Sequence, residues 1–144
     1  MAEAGLRVCA SSDLLERGLG VQWDLRYCGM DERAFALRID GKAVAYLNRC
    51  AYVPTELDWQ PNEFLDSDRR YILCAVHGAV YSPHTGACVM GRCGRAGLIP
   101  VAVAEVNGEL HWYPSSTLQP LPASNGALPH DPRLPPAAGP DSGA

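Results

Sequence analysis

No window of this 144-residue chain approaches the roughly 18 consecutive apolar residues that a membrane-crossing helix needs, and no positively charged run followed by an apolar stretch opens it. Those two absences lead to the expectation of a cytoplasmic protein without a membrane span. Basic charge is scarce as well. Twelve Lys and Arg stand against 16 Asp and Glu, scattered for a net −4, so nothing resembles the basic stripe that phosphate neutralisation requires, and nucleic acid is not expected as a partner. Helical periodicity is nearly missing: Asp13 to Glu16 has capping-box spacing, but Gly18 and Gly20 follow too closely for more than one or two turns. There is no Ser/His/Asp arrangement, glycine-rich phosphate loop or nucleophile elbow. The chain is therefore not expected to be an enzyme in its own right.

What the chain does contain is short β-compatible runs and turn signals. Residues 21–27, 34–39 and 42–47 read as strands, and Asp40-Gly41 between the last two is a strong two-residue hairpin signal. A second hairpin is expected where 98–106 and 109–113 flank Asn107-Gly108. Between them lie Tyr71-Ile72-Leu73-Cys74, Ala79-Val80-Tyr81 and Ala87-Cys88-Val89, separated by a Ser82-Pro83-His84-Thr85-Gly86 turn. Such repeats predict an all-β fold, a small antiparallel sandwich or barrel. With 47% apolar residues the chain can bury one core. Eight of its 12 prolines fall within 114–144, among Ser, Ala and Gly, so the domain is expected over 1–113 and a disordered tail over 114–144.

Six cysteines, at 9, 28, 50, 74, 88 and 93, form an even set that calls for a disulfide test. The expected reducing compartment argues against a disulfide framework, and cysteines clustered with histidine in such a compartment point to metal. Cys9 and Cys28 sit in apolar strand-like runs and are expected to be small buried hydrophobes. The other four, with His77, fall between residues 50 and 93. Thiolate and imidazole are the donors that zinc and iron–sulfur clusters select, and Cys74-x-x-His77 at a strand-to-turn junction places both on one side of a knuckle. His84 and His111 lack motif spacing. Glu56, Asp58, Glu63, Asp66 and Asp68 are expected to solvate an insert whose packing anchor is Trp59.

The segments AYLNRCAYVPTELDW and YILCAVHGAVYSPHTGACV, in that order between hairpins, resemble the Rieske iron–sulfur proteins, whose motifs are Cys-x-His and Cys-x-x-His-Gly. The resemblance covers about residues 6 to 113. It implies a Rieske-type β-fold with a cluster-binding part at about 48–98 and one [2Fe-2S] cluster, in which two cysteines hold one iron and two histidines the other. Carried over by position, Cys50 and Cys74 hold the inner iron and His77 the outer one. The resemblance is to the soluble ferredoxin-type members, since Thr55 and Val76 replace the extra cysteines of the membrane-bound ones. It implies a redox partner, a reductase or an oxygenase.

The departure is Tyr52, which stands where the first motif calls for histidine. A histidine donating from its near ring nitrogen places that atom roughly 3 Å from its Cα, and a tyrosine oxygen lies roughly 6.5 Å away. Tyr52 therefore cannot simply substitute. Either the loop retreats by about 3 Å so that a phenolate binds, or another donor takes the position, or no cluster is held. A phenolate is a hard anion and should lower the potential relative to imidazole. Tyr52 as an ordinary loop aromatic is the competing reading. Cys93 is the alternative donor, because the resemblance implies a loop folded over the cluster where Gly91-Arg92-Cys93-Gly94 stands; its competing reading is a neighbour of, or disulfide partner to, Cys88. Three functions remain: a ferredoxin-like electron carrier, a cluster-free binding or regulatory module on the same fold, and, behind both, a structural zinc site from Cys74, His77, Cys88 and Cys93.

Overall fold

The computed structural model describes residues 5–50, 55–74, 78–91 and 97–122. Along them run β1 (Leu6–Ala10), β2 (Val21–Tyr27), β3 (Met30–Ile39), β4 (Lys42–Leu47), β5 (Ile72–Cys74), β6 (Ala79–Tyr81), β7 (Cys88–Met90), β8 (Val103–Val106), β9 (Glu109–Trp112) and β10 (Leu118–Gln119). They form three antiparallel sheets, ordered β10-β2-β3-β4, β1-β9-β8 and β5-β6-β7. The expected all-β class is what the chain adopts. Among the described residues the one helical piece is a 3-10 turn, Ser11–Asp13, where the Asp13 carboxylate accepts from the Ala10 N–H at 3.2 Å. Among the described residues, no helix is long and apolar enough to cross a membrane.

Two hairpins turn where the sequence places them. Asp40 and Gly41 take φ of 53° and 82°, and Asn107 and Gly108 take 52° and 79°, the left-handed pair that a tight hairpin demands. A third turn of the same kind joins β2 to β3 at Cys28-Gly29, with φ of 52° and 81° and Tyr27 opposite Met30. Cys28 is thereby exposed at a turn, against the expectation that it is a buried strand residue. The expected strand over 98–106 forms only from Val103. Before it, the chain runs beside β4: the Leu47 N–H donates to the Ile99 carbonyl and the Val101 N–H to the Ala45 carbonyl, each at 2.9 Å. Pro100, between them, has no N–H to extend that ladder.

β3 is buried on both faces, which is why it reads as a nearly continuous apolar run. Phe35, Leu37 and Ile39 point into one core with Tyr46, Phe64, Ile72 and Tyr81. Ala34 and Ala36 point into a second core with Leu25, Leu47, Leu110 and Trp112. Large residues on one side and alanines on the other let the β1-β9-β8 layer approach closely. In the first core Phe35 stacks on Phe64, with ring centroids 3.9 Å apart and planes within 6°. Gly20 is needed there, because a Cβ at that position would stand 2.7 Å from the Phe64 ring. Leu118 is buried in the second core and β10 pairs with β2, so residues 114–122, assigned to the tail by composition, include an element of the sheet. Residues 123–144 lie outside the described residues.

Arg38 lies on the alanine side of β3 near its end. Its five N–H donors reach the carbonyls of Leu14 (2.9 Å), Ser11 (3.1 Å) and Gly41 (3.2 Å) and both oxygens of Glu105 (2.7 and 3.1 Å). It thus ties the turn after β1, the β3–β4 hairpin and β8 together. The hydrogen bond from Arg38 holds the Glu105 carboxyl below the usual carboxylate range. A depressed folded-state pKa gives stability that is complete above the unfolded carboxylate's pKa and fades as pH falls through the folded one. Arg38→Met should cost about 2–3 kcal/mol near neutral pH. In urea melts, that penalty should shrink as the pH drops below about 4.

Candidate metal centre

β4 ends at Leu47, and the chain then delivers Cys50 to the edge of the first core. The Cys50 N–H donates to the Thr55 carbonyl at 2.8 Å, which closes the segment between them at its base. Asn48 holds the same base from the other side. It is buried, its side-chain oxygen accepts from the Leu57 N–H at 2.6 Å, and its NH2 donates to Gln22 and Asp58, both at 3.0 Å. Cys50 is 3% exposed and belongs to the core of Phe35, Phe64 and Tyr81.

Cys74 reaches the same core from β5. Ile72 and Cys74 share the inward face by strand alternation, and Leu65 bridges to Ile72 from the insert. Cys74 pairs with Ala79 across the hairpin, and the Gly78 N–H returns to the Cys74 carbonyl at 2.8 Å. Gly78 turns the chain with φ 72°. Tyr81, opposite Ile72 on β6, is fully buried, and its hydroxyl lies 3.5 Å from the Cys50 sulfur. The two thiols nominated by the motifs therefore sit in one apolar cluster, with a phenol against one of them.

A third stretch is pinned onto the second at both ends. A Cβ on Gly91 would stand 2.1 Å from the Gly78 carbonyl oxygen, so the two backbones lie directly on one another. A Cβ on Gly97 would meet the Gly86 carbonyl oxygen at 2.6 Å, and the Leu98 N–H donates to that carbonyl at 2.8 Å. Tyr46 supports the turn beneath: its hydroxyl donates to the Pro83 carbonyl at 2.8 Å, and burial pushes its pKa up to about 12. Gly91 thus lies against Gly78 of the second motif, and Gly97 against Gly86 in the turn that follows it.

Tyr52, His77 and Cys93 lie outside the described residues. Cys88 is half-buried, packs against the same core and is disulfide-bonded, which departs from the expectation of no disulfide framework but is the state that the competing reading of Cys88 allows for. A disulfide sulfur is no thiolate, so the four-donor zinc set lacks one member in this state. Cys9 is buried in the other core, where desolvation, with Asp13 adding to it, raises its thiol pKa, the setting of an inert structural cysteine. His84 faces Asp40 at 3.2 Å and His111 faces Glu109 at 3.1 Å. Among the described residues alone, no group of three or more His, Cys, Asp or Glu is placed to hold a metal ion.

Several residues around the site escaped sequence reading. The Tyr81 hydroxyl pairs with a sulfur 31 positions away, which no local pattern announces. Asp58, Glu63 and Asp66 were expected to solvate the insert. Instead, Asp58 accepts from Asn48 and Gln22, Glu63 pairs with Arg69 at 2.9 Å, and Asp66 accepts from the Arg70 N–H at 2.9 Å. Trp59, the expected packing anchor, donates its indole N–H to the Leu65 carbonyl at 3.2 Å but leaves 46% of its surface exposed. A groove of about 340 Å³ beside the first loop is lined by Asp24, Asp31, Glu32, Arg33, Glu56 and Leu121. Its charged walls differ from the mostly apolar clefts that hold small molecules.

No protein-family model matches the chain, and no curated protein matches it. Solved structures do. The ferredoxin of carbazole 1,9a-dioxygenase from Nocardioides aromaticivorans IC177 superposes with a TM-score of 0.62 at 19% identity, covering 78% of this chain and 100% of that one. The Sphingomonas yanoikuyae B1 ferredoxin gives a TM-score of 0.60 at 20% identity over 78% of this chain and 100% of its own. The quaternary ammonium Rieske monooxygenase CntA, in complex with an inhibitor, gives 0.60 at 18% identity over 78% of this chain and 31% of its own. At such identities the likeness speaks to architecture, and in architecture this chain has the Rieske-type ferredoxin fold.

Proposed function

We propose that this protein is a ferredoxin-like electron carrier that holds one [2Fe-2S] cluster and serves a partner oxidoreductase, a reductase or an oxygenase, in the cytoplasm. The observation that carries the reading is the burial of Cys50 and Cys74 in one apolar cluster, with the Tyr81 hydroxyl 3.5 Å from the Cys50 sulfur. The donor chemistry fits the group: two buried thiols approach from adjoining loop bases, and a hydroxyl is placed to donate to a sulfur that has lost its proton. In this reading Cys50 and Cys74 are the thiolate ligands and His77 is the imidazole ligand. Position 52 supplies the fourth donor as the Tyr52 phenolate, with Cys93 as the alternative in its thiolate form. The cluster, when bound, supplies a single-electron ferric/ferrous couple.

The chain's own residues do the rest. Phe35, Phe64, Leu57 and Leu65, all buried beside the two thiols, exclude water from the inner side of the site. Gly91 lies directly on Gly78, at the turn that follows Cys74. Another similar structure, at 21% identity, is a complex of reduced oxygenase and oxidised ferredoxin in carbazole 1,9a-dioxygenase, and the same kind of docking is the role proposed for this chain. The cluster-free module remains the second reading, and Tyr52 is the residue that favours it.

Anaerobic purification followed by iron, zinc and sulfide analysis, a visible spectrum and EPR of the reduced protein decides between the two. Two irons and two sulfides per chain are expected, with an EPR signal on reduction. A colourless, iron-free chain that stays folded after reconstitution would overturn the carrier reading. Tyr81→Phe removes a hydrogen bond that favours the more negative, reduced state. It should lower the midpoint potential on the order of 50 mV, as read by EPR-monitored redox titration, with iron content unchanged.

A further inference from the structure

Asn48, Gln22 and Asp58 form a closed ring of hydrogen bonds at the foot of the first loop. The Asn48 NH2 donates to the Gln22 carbonyl oxygen and to one Asp58 oxygen, both at 3.0 Å. The Gln22 NH2 donates to the other Asp58 oxygen at 3.2 Å and to the Asn62 side-chain oxygen at 2.8 Å. Asp58 also accepts from the Asn62 N–H at 3.1 Å. The Asp58 carboxylate is balanced by carboxamide and backbone donors. Among the described residues, Asn48 is one of two buried polar ones, the other being Glu63, which has Arg69 to pair with.

The ring joins three parts of the chain. Gln22 belongs to β2, Asn48 stands two residues before Cys50, and Asp58 and Asn62 belong to the insert that follows the loop. The Asn48 backbone N–H is fixed as well, donating to the Arg33 carbonyl of β3 at 2.8 Å, and its side-chain oxygen takes the Leu57 N–H at 2.6 Å. Both chain ends of the segment that carries Cys50 are thereby tied to the four-stranded sheet through one carboxamide. A carboxamide is the group that can do this, since it accepts on one side and donates twice on the other. Asn48 makes all three of those contacts, so the direction of its amide is set by the network.

We infer that Asn48 is the positioning residue of the metal centre: through its ring with Gln22 and Asp58 it fixes the first loop on β2 and β3, and so holds the Cys50 sulfur against Tyr81. The inference deepens the proposed function, because the position of Cys50 matters to the carrier as a ligand position. It predicts a local effect at Cys50 and little elsewhere. Cys9, buried in the other core, serves as the internal control.

The test is alkylation of the full chain as purified, with each cysteine resolved by mass spectrometry. In Asn48→Ala, Cys50 should be alkylated roughly tenfold faster than in the parent, the consequence of losing one buried hydrogen-bonded staple, while Cys9 keeps its rate. Asn48→Asp places two carboxylates where one carboxylate faced a carboxamide, and Cys50 should open similarly. Asn48→Asp combined with Asp58→Asn restores one carboxylate and one carboxamide, and should return the Cys50 rate to within about threefold of the parent. Parallel acceleration of Cys50 and Cys9, no acceleration of either, or a double variant no better than Asn48→Asp would each overturn the inference. The readout does not need iron, so an iron-free parent would defeat the proposed function while leaving this result to be judged alone. If iron is bound, the Asn48→Asp variant should also shift the midpoint potential and the double variant should restore it.

Discussion

A strand buried on both faces has to be covered twice, and β3 sets that requirement for this protein. Its alanine side can be covered closely, and β1, β9 and β8 do so with Leu110 and Trp112. Its other side carries Phe35, Leu37 and Ile39, which no neighbouring strand of the same sheet can shield. The insert after Cys50 brings Leu57, Phe64 and Leu65 to that side, and β5 and β6 add Ile72, Cys74, Ala79 and Tyr81. The small third sheet exists to complete this core. Because both nominated cysteines are part of the covering layer, the proposed metal centre is built into the hydrophobic core and is not an appendage to it.

The site inherits its chemistry from that placement. Cys9 and Cys50 are both buried thiols, yet they differ in company. Cys9 has desolvation and the Asp13 charge raising its pKa, which favours the protonated, unreactive form. Cys50 has a phenol within reach, able to donate to a thiolate. Close backbone approach does the remaining work, and glycine is the residue that allows it: Gly91 lies on Gly78, and Gly97 on Gly86. Around this, Arg38 with Glu105 and the Asn48 ring hold the sheets and the first loop in register.

Local chemistry was readable from sequence, and distant partnerships were not. Asp40-Gly41 and Asn107-Gly108 announced their hairpins because two adjacent residues suffice to make the turn. Cys28-Gly29 makes the same turn and escaped notice, since cysteine is not a usual left-handed residue and the apolar run before it suggested a buried strand. Proline content marked the tail from residue 114, but Leu118 overrides composition by filling a place in the second core. The cysteines at 50 and 74, nominated by the family resemblance, are brought into one cluster. Tyr81, Asn48 and Asp58 were not singled out for the site, because their partners are set by the packing of segments 10 to 36 residues apart. The acids of the insert looked like a solvated surface for the same reason: sequence shows their charge and not the donors facing them.

In the proposed carrier, Cys50 and Cys74 hold one iron of a two-iron cluster whose other iron has a different ligand set. Mössbauer spectroscopy of the full chain produced with iron-57 and purified anaerobically tests it most directly. Two quadrupole doublets of equal area are expected from the oxidised protein, one with the smaller isomer shift of an all-sulfur ferric site and one with the larger shift that nitrogen or oxygen donors produce. A single all-sulfur doublet, or no cluster-bound iron at all, would contradict it.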